Sequence, residues 1–209
     1  MSRRQTCEAI ILQSHNVGEA DRFCILFTRE KGRLAARAKA VRKPKSHLGG
    51  SLLPFSCARM ELVEHGSSYI IAGASIMEEY PHLSSVPSFS VAGEGIEIIL
   101  RLIQDDEPLP ELFDLTREFL NSAAIPSKSL VLAFTLRTLH ILGLLPESFN
   151  REFFRGLTEE ERSFVEACAR GEPLDSFFLE RTGRLEQRCQ ELLLEQLSQP
   201  LKAGRVTLA

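Results

Sequence analysis

Residues 22–40 read RFCILFTREKGRLAARAKA, and the alternation in this stretch predicts two β-strands joined by a tight turn. From Arg33 to Ala40 basic residues occupy the odd positions, apart from Ala35, and apolar residues occupy the even ones. Because successive side chains of a strand point to opposite faces, one face of this strand would be basic and the other apolar. Gly32 supplies the glycine of a hairpin turn, and the strand before it is apolar on both faces.

Three further strands are predicted around this pair, at 7–14, 52–63 and 69–76. A turn at 15–18 and a loop at 41–51 separate them, and both contain the Gly, Asn or Pro residues that form turns. Five short strands in about 75 residues fit a small closed β-barrel of the OB-fold size class.

After Tyr80-Pro81 the pattern changes from a period of two to helical spacing. Thr158 and Glu161 have the spacing of a capping box at the start of a helix. The predicted fold class is therefore mixed and two-domain, with a small N-terminal OB-fold barrel over residues 1–80 and an all-α domain over residues 82–209. Apolar helical faces occur at 96–103, 112–120, 130–142 and 185–197.

The net charge of −3 conceals an asymmetry between the two parts of the chain. Residues 1–80 carry a net charge of +4 and the remainder carries −7, which indicates different partners for each part. No apolar run approaches the roughly 18 residues of a membrane span. Cys7–Leu12 is too short for the core of a signal peptide. We therefore expect a cytoplasmic protein that does not contact membranes.

The basic residues concentrate between Lys31 and Met60, a span with eight Lys and Arg and no Asp or Glu. A cationic strand face that runs into a basic loop is typical of a surface that binds a phosphate backbone without sequence preference. The alternative is a solvated strand face followed by a flexible loop. The residues that we expect to bind DNA are Arg33, Arg37, Lys39, Arg42, Lys43 and Lys45.

Aromatic side chains that would stack on bases are scarce in this sequence. The chain has no Trp and 2 Tyr, and Phe23 and Phe27 lie in the two-faced apolar strand, which favours a place in the core. Phe55 is a candidate for stacking, although burial is the more frequent fate of Phe. Binding is therefore expected to be mainly electrostatic.

Sequence motifs of catalysis are absent: the chain has no phosphate-binding Gly-rich loop, no Gly-x-Ser-x-Gly and no His-Glu-x-x-His. Asp105-Asp106-Glu107 precedes Pro108 and is interpreted as a solvated loop. We predict that the protein is not an enzyme and has no catalytic residues, cofactor or metal. The sequence leaves open the alternative that folding brings a nucleophile and a base together.

Five segments of the sequence follow a recognisable order and spacing: Ala9–Leu12, Gly18–Arg22, Phe27–Arg33, Lys45–Phe55 and Leu142–Pro146. The first four resemble the N-terminal domain of the RecO family of DNA repair proteins. The fifth resembles the helix end that precedes the zinc-binding region of that family.

The resemblance implies an OB-fold followed by a helical domain. It also implies binding of single- and double-stranded DNA, annealing of complementary strands, and help in loading RecA onto strands coated by single-strand-binding protein (SSB), with RecR as the usual partner. It further implies that Arg33, Lys39, Arg42 and Lys45 contact phosphates. Gly18, Gly32, Gly49 and Gly50 would form turns.

The chain departs from the family pattern at two places. Many members carry paired Cys-x-x-Cys motifs after the segment that ends at Pro146, whereas here no cysteine follows until Cys168. The family often has Gly after the lysine that ends the third strand, and this chain has Ala40.

Three functions remain open: a DNA-annealing recombination mediator, a protein-interaction module with a RecO-like fold and weak DNA binding, and an OB-fold RNA-binding protein. The missing cysteine motifs and the acidic helical part favour the second. The basic patch does not distinguish DNA from RNA, which leaves the third. We expect the helical part to contact SSB or RecR.

The five cysteines are Cys7, Cys24, Cys57, Cys168 and Cys189, and no two have the spacing of zinc ligands. Their odd number and wide separation favour buried free thiols. We predict that folding does not depend on zinc. Elemental analysis of the purified protein should therefore find no zinc, and one zinc per chain would contradict the prediction.

Overall fold

A computed structural model of the chain describes residues 4–43, 46, 48, 50–66, 68–146, 152–179 and 181–196. The chain divides into two units. One consists of Met1–Pro81 with Ile103–Arg117, and the other of His82–Leu102 with Glu118–Ala209. The sequence pattern placed a single division near residue 81, whereas residues 103–117 group with the N-terminal unit.

The first unit contains a closed barrel with the strand order β1-β2-β3-β5-β4, in which β1 also pairs with β4. The β3–β5 pair is parallel and the other pairs are antiparallel. This confirms the predicted OB-fold barrel. The strands are β1 Arg4–Val17, β2 Asp21–Thr28, β3 Gly32–Ala38, β4 Cys57–His65 and β5 Ser68–Glu78.

The barrel interior follows from the alternation seen in the sequence. In β3 the even residues Leu34, Ala36 and Ala38 are buried in the barrel core, while Arg33, Ala35 and Arg37 lie on the outer face. Small alanines at two of the three inward positions leave room for larger side chains from the facing strands. Those larger residues include Ile11, Leu26, Met60 and Leu62 of the strands, together with Leu52 of the segment before β4.

The C-terminal end of β2 is covered on both faces, and the residues there are accordingly apolar. Cys24 and Leu26 point into the barrel core. On the outer face, Phe27 is fully buried and contacts Phe113 edge-to-face, with ring centroids 5.6 Å apart. Phe113 belongs to the segment 103–117, and this segment therefore forms part of the hydrophobic packing around the barrel.

Two boundaries differ from the sequence prediction. β1 continues to Val17, so that the turn lies at 18–20 rather than at 15–18. β4 begins at Cys57 rather than at residue 52, because Gly50–Leu52 forms a short 3-10 helix and Phe55 has a left-handed φ of 68°. A left-handed residue interrupts the extended backbone of a strand.

The rest of the described chain is helical, as predicted. Short 3-10 helices occur at Pro81–Ser84 and Leu174–Ser176. The last predicted helix ends at Gln196, and residue 197 lies outside the described residues. The α-helices are α1 Val86–Leu102, α2 Pro110–Ser122, α3 Lys128–Ile141, α4 Glu159–Ala169 and α5 Gly183–Gln196.

Within the helical unit, α1 and the end of α2 approach closely at Gly95. A Cβ atom on Gly95 would lie 2.2 Å from the Phe119 ring, which itself stacks on Phe134 of α3 with centroids 4.1 Å apart. The capping box is confirmed: Glu161 N–H donates to the Thr158 hydroxyl and Thr158 N–H donates to the Glu161 carboxylate. Each of these two hydrogen bonds satisfies a backbone N–H that has no partner within the first turn of a helix.

We predict that Gly32→Ala destabilises the barrel far more than Gly18→Ala. Both glycines have left-handed φ, at 70° and 57°, so both substitutions introduce backbone strain of about 1 kcal/mol or more. At Gly32 a Cβ would also lie 1.9 Å from the Glu107 carbonyl oxygen, whereas nothing lies within 4 Å at Gly18. Urea unfolding should show that Gly32→Ala lowers the free energy of unfolding by about 3 kcal/mol, since the clash with the backbone adds to the strain. Equal losses would show that the Glu107 contact is unimportant.

Candidate nucleic-acid interface

The basic residues of β3 lie on the outer face of the barrel, as the alternation predicted. Arg33 and Arg37 stand opposite Phe27 and Phe23 of β2. Their surroundings differ because each end of β3 lies beside a different segment. The electrostatic environment of each arginine is therefore set by residues remote in sequence.

At the start of β3, Arg33 is held by an acidic segment. Its Nε lies 2.6 Å from the Asp105 carboxylate, and its carbonyl accepts a hydrogen bond of 3.0 Å from Asp106 N–H. Residues 33 and 105 also form an isolated β-bridge. The prediction that Asp105–Glu107 is a solvated loop is confirmed, since all three residues are exposed. The sequence did not show that the backbone of this loop lies against the barrel at Gly32 and Arg33.

A second ion pair joins the same two segments. Arg29, in the turn between β2 and β3, pairs with Asp114 of α2. Since Arg29 and Arg33 both have carboxylate partners, a phosphate would have to compete with these carboxylates for them. This lowers the counterion release that either arginine contributes to binding a polyanion.

At the other end of β3, Asp21 holds the chain where it leaves the strand. Its carboxylate accepts 2.7 and 2.9 Å hydrogen bonds from Ala40 N–H and Arg37 Nε. The Ala40 amide, followed by Arg37, holds the pKa of Asp21 below its ordinary range. Ala40 has a φ of 54°, the left-handed conformation that glycine favours.

Three cations beyond Ala38, here named the basic turn, are Lys39, Arg42 and Lys43. All three are exposed, and among the described residues no carboxylate lies within ion-pair distance of them. The Arg42 guanidinium donates to the Gly18 carbonyl over 3.2 Å, and Arg42 N–H donates to the Ala20 carbonyl. Both bonds are to backbone carbonyls, so they fasten the basic turn to the β1–β2 turn without forming an ion pair.

The six predicted residues do not form one site of equivalent cations. Arg33 and Lys39 are six residues apart, roughly 20 Å along an extended strand. The structure brings Arg37 and the basic turn together at one end, and leaves Arg33 at the other end beside Asp105. Lys45 lies outside the described residues, as does Gly49.

Sequence reasoning missed the two carboxylates that divide this surface. Asp21 is 16 residues from Arg37, and Asp105 is 72 residues from Arg33. Asp21 was visible as part of the family-like segment Gly18–Arg22, but no local pattern connects Asp105 with β3.

The aromatic candidates have contrasting environments. Phe55 is 7% exposed, which confirms the expectation that it belongs to the core. Tyr69 lies beneath the Lys31 ammonium, 5.3 Å from the ring centroid, and its hydroxyl is 3.2 Å from the same nitrogen. Neither ring offers an open face for a base next to the basic turn.

The cysteines do not fit a zinc site. All five are buried free thiols, as predicted. Desolvation raises the pKa of the Cys168 thiol to about 12 and that of Cys189 even further. Zinc binds thiolates, which this environment disfavours. Among the described residues no group of three or more His, Cys, Asp or Glu side chains is arranged to hold a metal ion.

Comparison with known protein families agrees with this architecture. The family model described as Recombination protein O N terminal matches residues 1–80, and the one described as Recombination protein O C terminal matches residues 87–202. The chain belongs to the RecO family. Within the part of this RecO chain that the structure describes, no helix is both long and apolar enough to cross a membrane.

Curated relatives carry the name DNA repair protein RecO. The chain is 34% identical to that of Myxococcus xanthus (strain DK1622) over 164 residues, 77% of this chain and 67% of the relative. It is 31% identical to that of Anaeromyxobacter dehalogenans (strain 2CP-C) over 142 residues, 66% of this chain and 56% of the relative. It is 34% identical to that of Heliobacterium modesticaldum (strain ATCC 51547 / Ice1) over 147 residues, which are 69% of this chain and 54% of the relative.

The matched region thus spans between about half and two thirds of the length of these relatives. The family establishes a DNA repair protein. The step that this RecO chain performs in repair is a separate question, to which the geometry of the barrel surface contributes.

We predict that Asp21→Asn destabilises the chain at neutral pH and that the difference disappears in acid. The pKa of Asp21 is lowered in the folded state, so the carboxylate stabilises the fold above the ordinary aspartate pKa of about 3.9. That contribution is lost as the pH falls through the lower folded value. Urea unfolding between pH 7 and pH 3 should show the two stabilities converge.

Glu19→Gln, two residues away and exposed, is the matched control. It makes the same change of charge without removing the bonds to Ala40 and Arg37. A stability difference for Asp21→Asn that is constant with pH would show that the charge of Asp21 does not hold the turn.

Proposed function

We propose that this RecO chain binds single- and double-stranded DNA through the basic turn, anneals complementary strands, and assists the loading of RecA onto SSB-coated single-stranded DNA. The observation that carries the proposal is the exposure of Lys39, Arg42 and Lys43 at one end of the barrel, with no described carboxylate within ion-pair distance. Arg37 and Lys45 are proposed as flanking contacts.

The physical basis of binding is the release of counterions from DNA. Each phosphate that a lysine or arginine neutralises contributes about −0.7 to the salt slope for single strands. Three contacts from the basic turn would therefore give a slope of about −2. Arg29 and Arg33 contribute less, since Asp114 and Asp105 already neutralise them.

Annealing places two polyanions side by side and therefore depends more strongly on a screening cationic surface than the binding of one strand does. A surface that contacts phosphates rather than base edges accepts any pair of complementary sequences. The chemistry needed is binding alone, and we propose that the protein acts as a mediator and not as an enzyme, without a cofactor.

The helical part is proposed to contact other proteins. The helical unit, His82–Leu102 with Glu118–Ala209, carries a net charge of −3, which disfavours DNA. RecR and SSB are the partners that the family resemblance implies, and a groove between helices is a frequent docking place for an amphipathic segment. This assignment would give the two units separate roles.

The protein-interaction module with weak DNA binding is the second candidate. The ion pairs Arg29–Asp114 and Arg33–Asp105 favour it, because they remove two cations from the surface that the sequence predicts to be basic. An RNA-binding protein is the third candidate, because contacts to phosphates alone would bind RNA and DNA strands alike.

We predict that Lys39→Gln with Lys43→Gln weakens DNA binding and annealing more than Arg29→Gln with Arg33→Gln. Both pairs remove two positive charges, but the first pair removes unpaired cations and the second removes cations already bound to acids. The single-strand salt slope should shrink by about 1.4 for the first pair and change little for the second. Fluorescence anisotropy at several salt concentrations measures the slope, and a strand-annealing assay measures the rate.

Thermal melting checks that both variants remain folded. Equal effects of the two pairs would show that DNA binding follows net charge rather than the basic turn. Wild-type protein that binds neither DNA nor RNA at low salt, but binds SSB or RecR, would replace the proposal by the interaction module.

A further inference from the structure

A row of three side chains crosses the outer face of the barrel next to the basic turn. Phe23 of β2 is paired with His15 of β1 on one side and with Arg37 of β3 on the other. Directly opposed residues of antiparallel strands place their side chains on the same face. Since the neighbouring Cys24 points into the core, the row His15–Phe23–Arg37 points outward.

Phe23 differs from the other aromatic residue on this face of β2. Phe27 is fully buried under Phe113, whereas Phe23 is partly exposed and is not a member of the barrel core. Within the described part of the chain, no aromatic or cation–π contact of the Phe23 ring is recorded. The expectation that Phe23 is buried like Phe27 was wrong, because the packing of α2 at Phe113 covers the other end of the strand.

The neighbours of Phe23 on one side are apolar, and one of them is a small alanine. Ala35 lies diagonally across from it on β3, at the position where the alternation of basic residues is interrupted. Ile25, the next outward residue of β2, is partly exposed and pairs with Ala35. An arginine at position 35 would cover this area, so the interruption leaves a small apolar floor beside the ring.

The cation of the row, Arg37, has a carboxylate partner, whereas the cations of the basic turn beyond the row have none within ion-pair distance among the described residues. Arg37 stands opposite Phe23 in the strand register, and its guanidinium pairs with the Asp21 carboxylate at 2.8 Å. Lys39, the first residue of the basic turn, is two residues further along, roughly 7 Å at the rise of a strand. The surface therefore offers a flat, neutral area for bases next to cations for phosphates.

We infer that Phe23 stacks on a nucleobase of single-stranded DNA whose phosphates are held by the basic turn. The inference rests on the proposed DNA binding and deepens it, because it assigns a non-electrostatic contact that favours unpaired bases. Every base has a π-face, so stacking adds affinity without sequence preference. Bases inside a duplex are stacked on each other and unavailable to Phe23, so this contact distinguishes single strands from duplexes.

The test compares Phe23→Leu with wild-type full-length protein on three ligands: an oligothymidylate, an abasic oligonucleotide of the same length, and a blunt duplex. Loss of the stacked base should weaken oligothymidylate binding about tenfold. The salt slope should stay unchanged, since no phosphate contact is lost. Binding of the abasic strand and of the duplex should remain at the wild-type level.

A tryptophan variant gives a direct readout that does not depend on the folding of Phe23→Leu. The chain contains no Trp, so Phe23→Trp introduces a single fluorophore that a stacked thymine should quench, with affinity retained. Phe178→Trp makes the same substitution at a ring that is 79% exposed and detects quenching unrelated to Phe23.

The inference is overturned if Phe23→Leu binds oligothymidylate as tightly as wild type, or loses affinity equally for the abasic strand, or if Phe23→Trp is not quenched. In those cases a strong loss in the Lys39/Lys43 variant would still support the proposed function. If wild-type protein binds no DNA at low salt, the proposed function fails and the inference fails with it.

Discussion

The packing of residues 103–117 on the outer face of β2 is the constraint on which the rest of the barrel depends. β2 is apolar on both faces, and the barrel interior can bury only the face of Cys24 and Leu26. The burial of Phe27 against Phe113 removes the apolar surface at one end of the outer face from water, worth on the order of 2 kcal/mol for a fully buried aromatic side chain. Gly32 makes the approach possible, because any side chain there would collide with the Glu107 backbone.

This packing also decides the electrostatics of the surface. The segment that covers Phe27 brings Asp105 and Asp114 to Arg33 and Arg29. A run of sequence with eight basic residues and no acid therefore becomes, in space, a surface whose first part is neutralised and whose last part is not. The cationic site is displaced toward the turn that follows β3, away from the segment required for hydrophobic burial.

Features that depend on residues close together in the sequence could be predicted, whereas contacts between residues far apart in the sequence could not. The alternation of β3, the five helices and the Thr158–Glu161 capping box depend on neighbours within a few positions, and each was predicted. The strand starting at Cys57 was predicted too early, because the left-handed Phe55 has no Gly or Asn to signal it. The pairing of Arg33 with Asp105 joins residues 72 positions apart, and the exposure of Phe23 depends on where α2 stops covering β2. Such facts require the tertiary structure.

Asp21 connects the basic turn with the row that contains Phe23. One of its oxygens binds the Ala40 amide and the other binds Arg37, so a single carboxylate orients both the basic turn and the row that contains Phe23. An alanine with a φ of 54° is strained by roughly 1–2 kcal/mol. A charge-assisted hydrogen bond is about twice as strong as a neutral one, which is enough to offset such strain. The position of the cations thus depends on the bond between the Ala40 amide and the Asp21 carboxylate rather than on backbone freedom. Under the proposed function, a turn held in this way would lose less entropy on binding DNA.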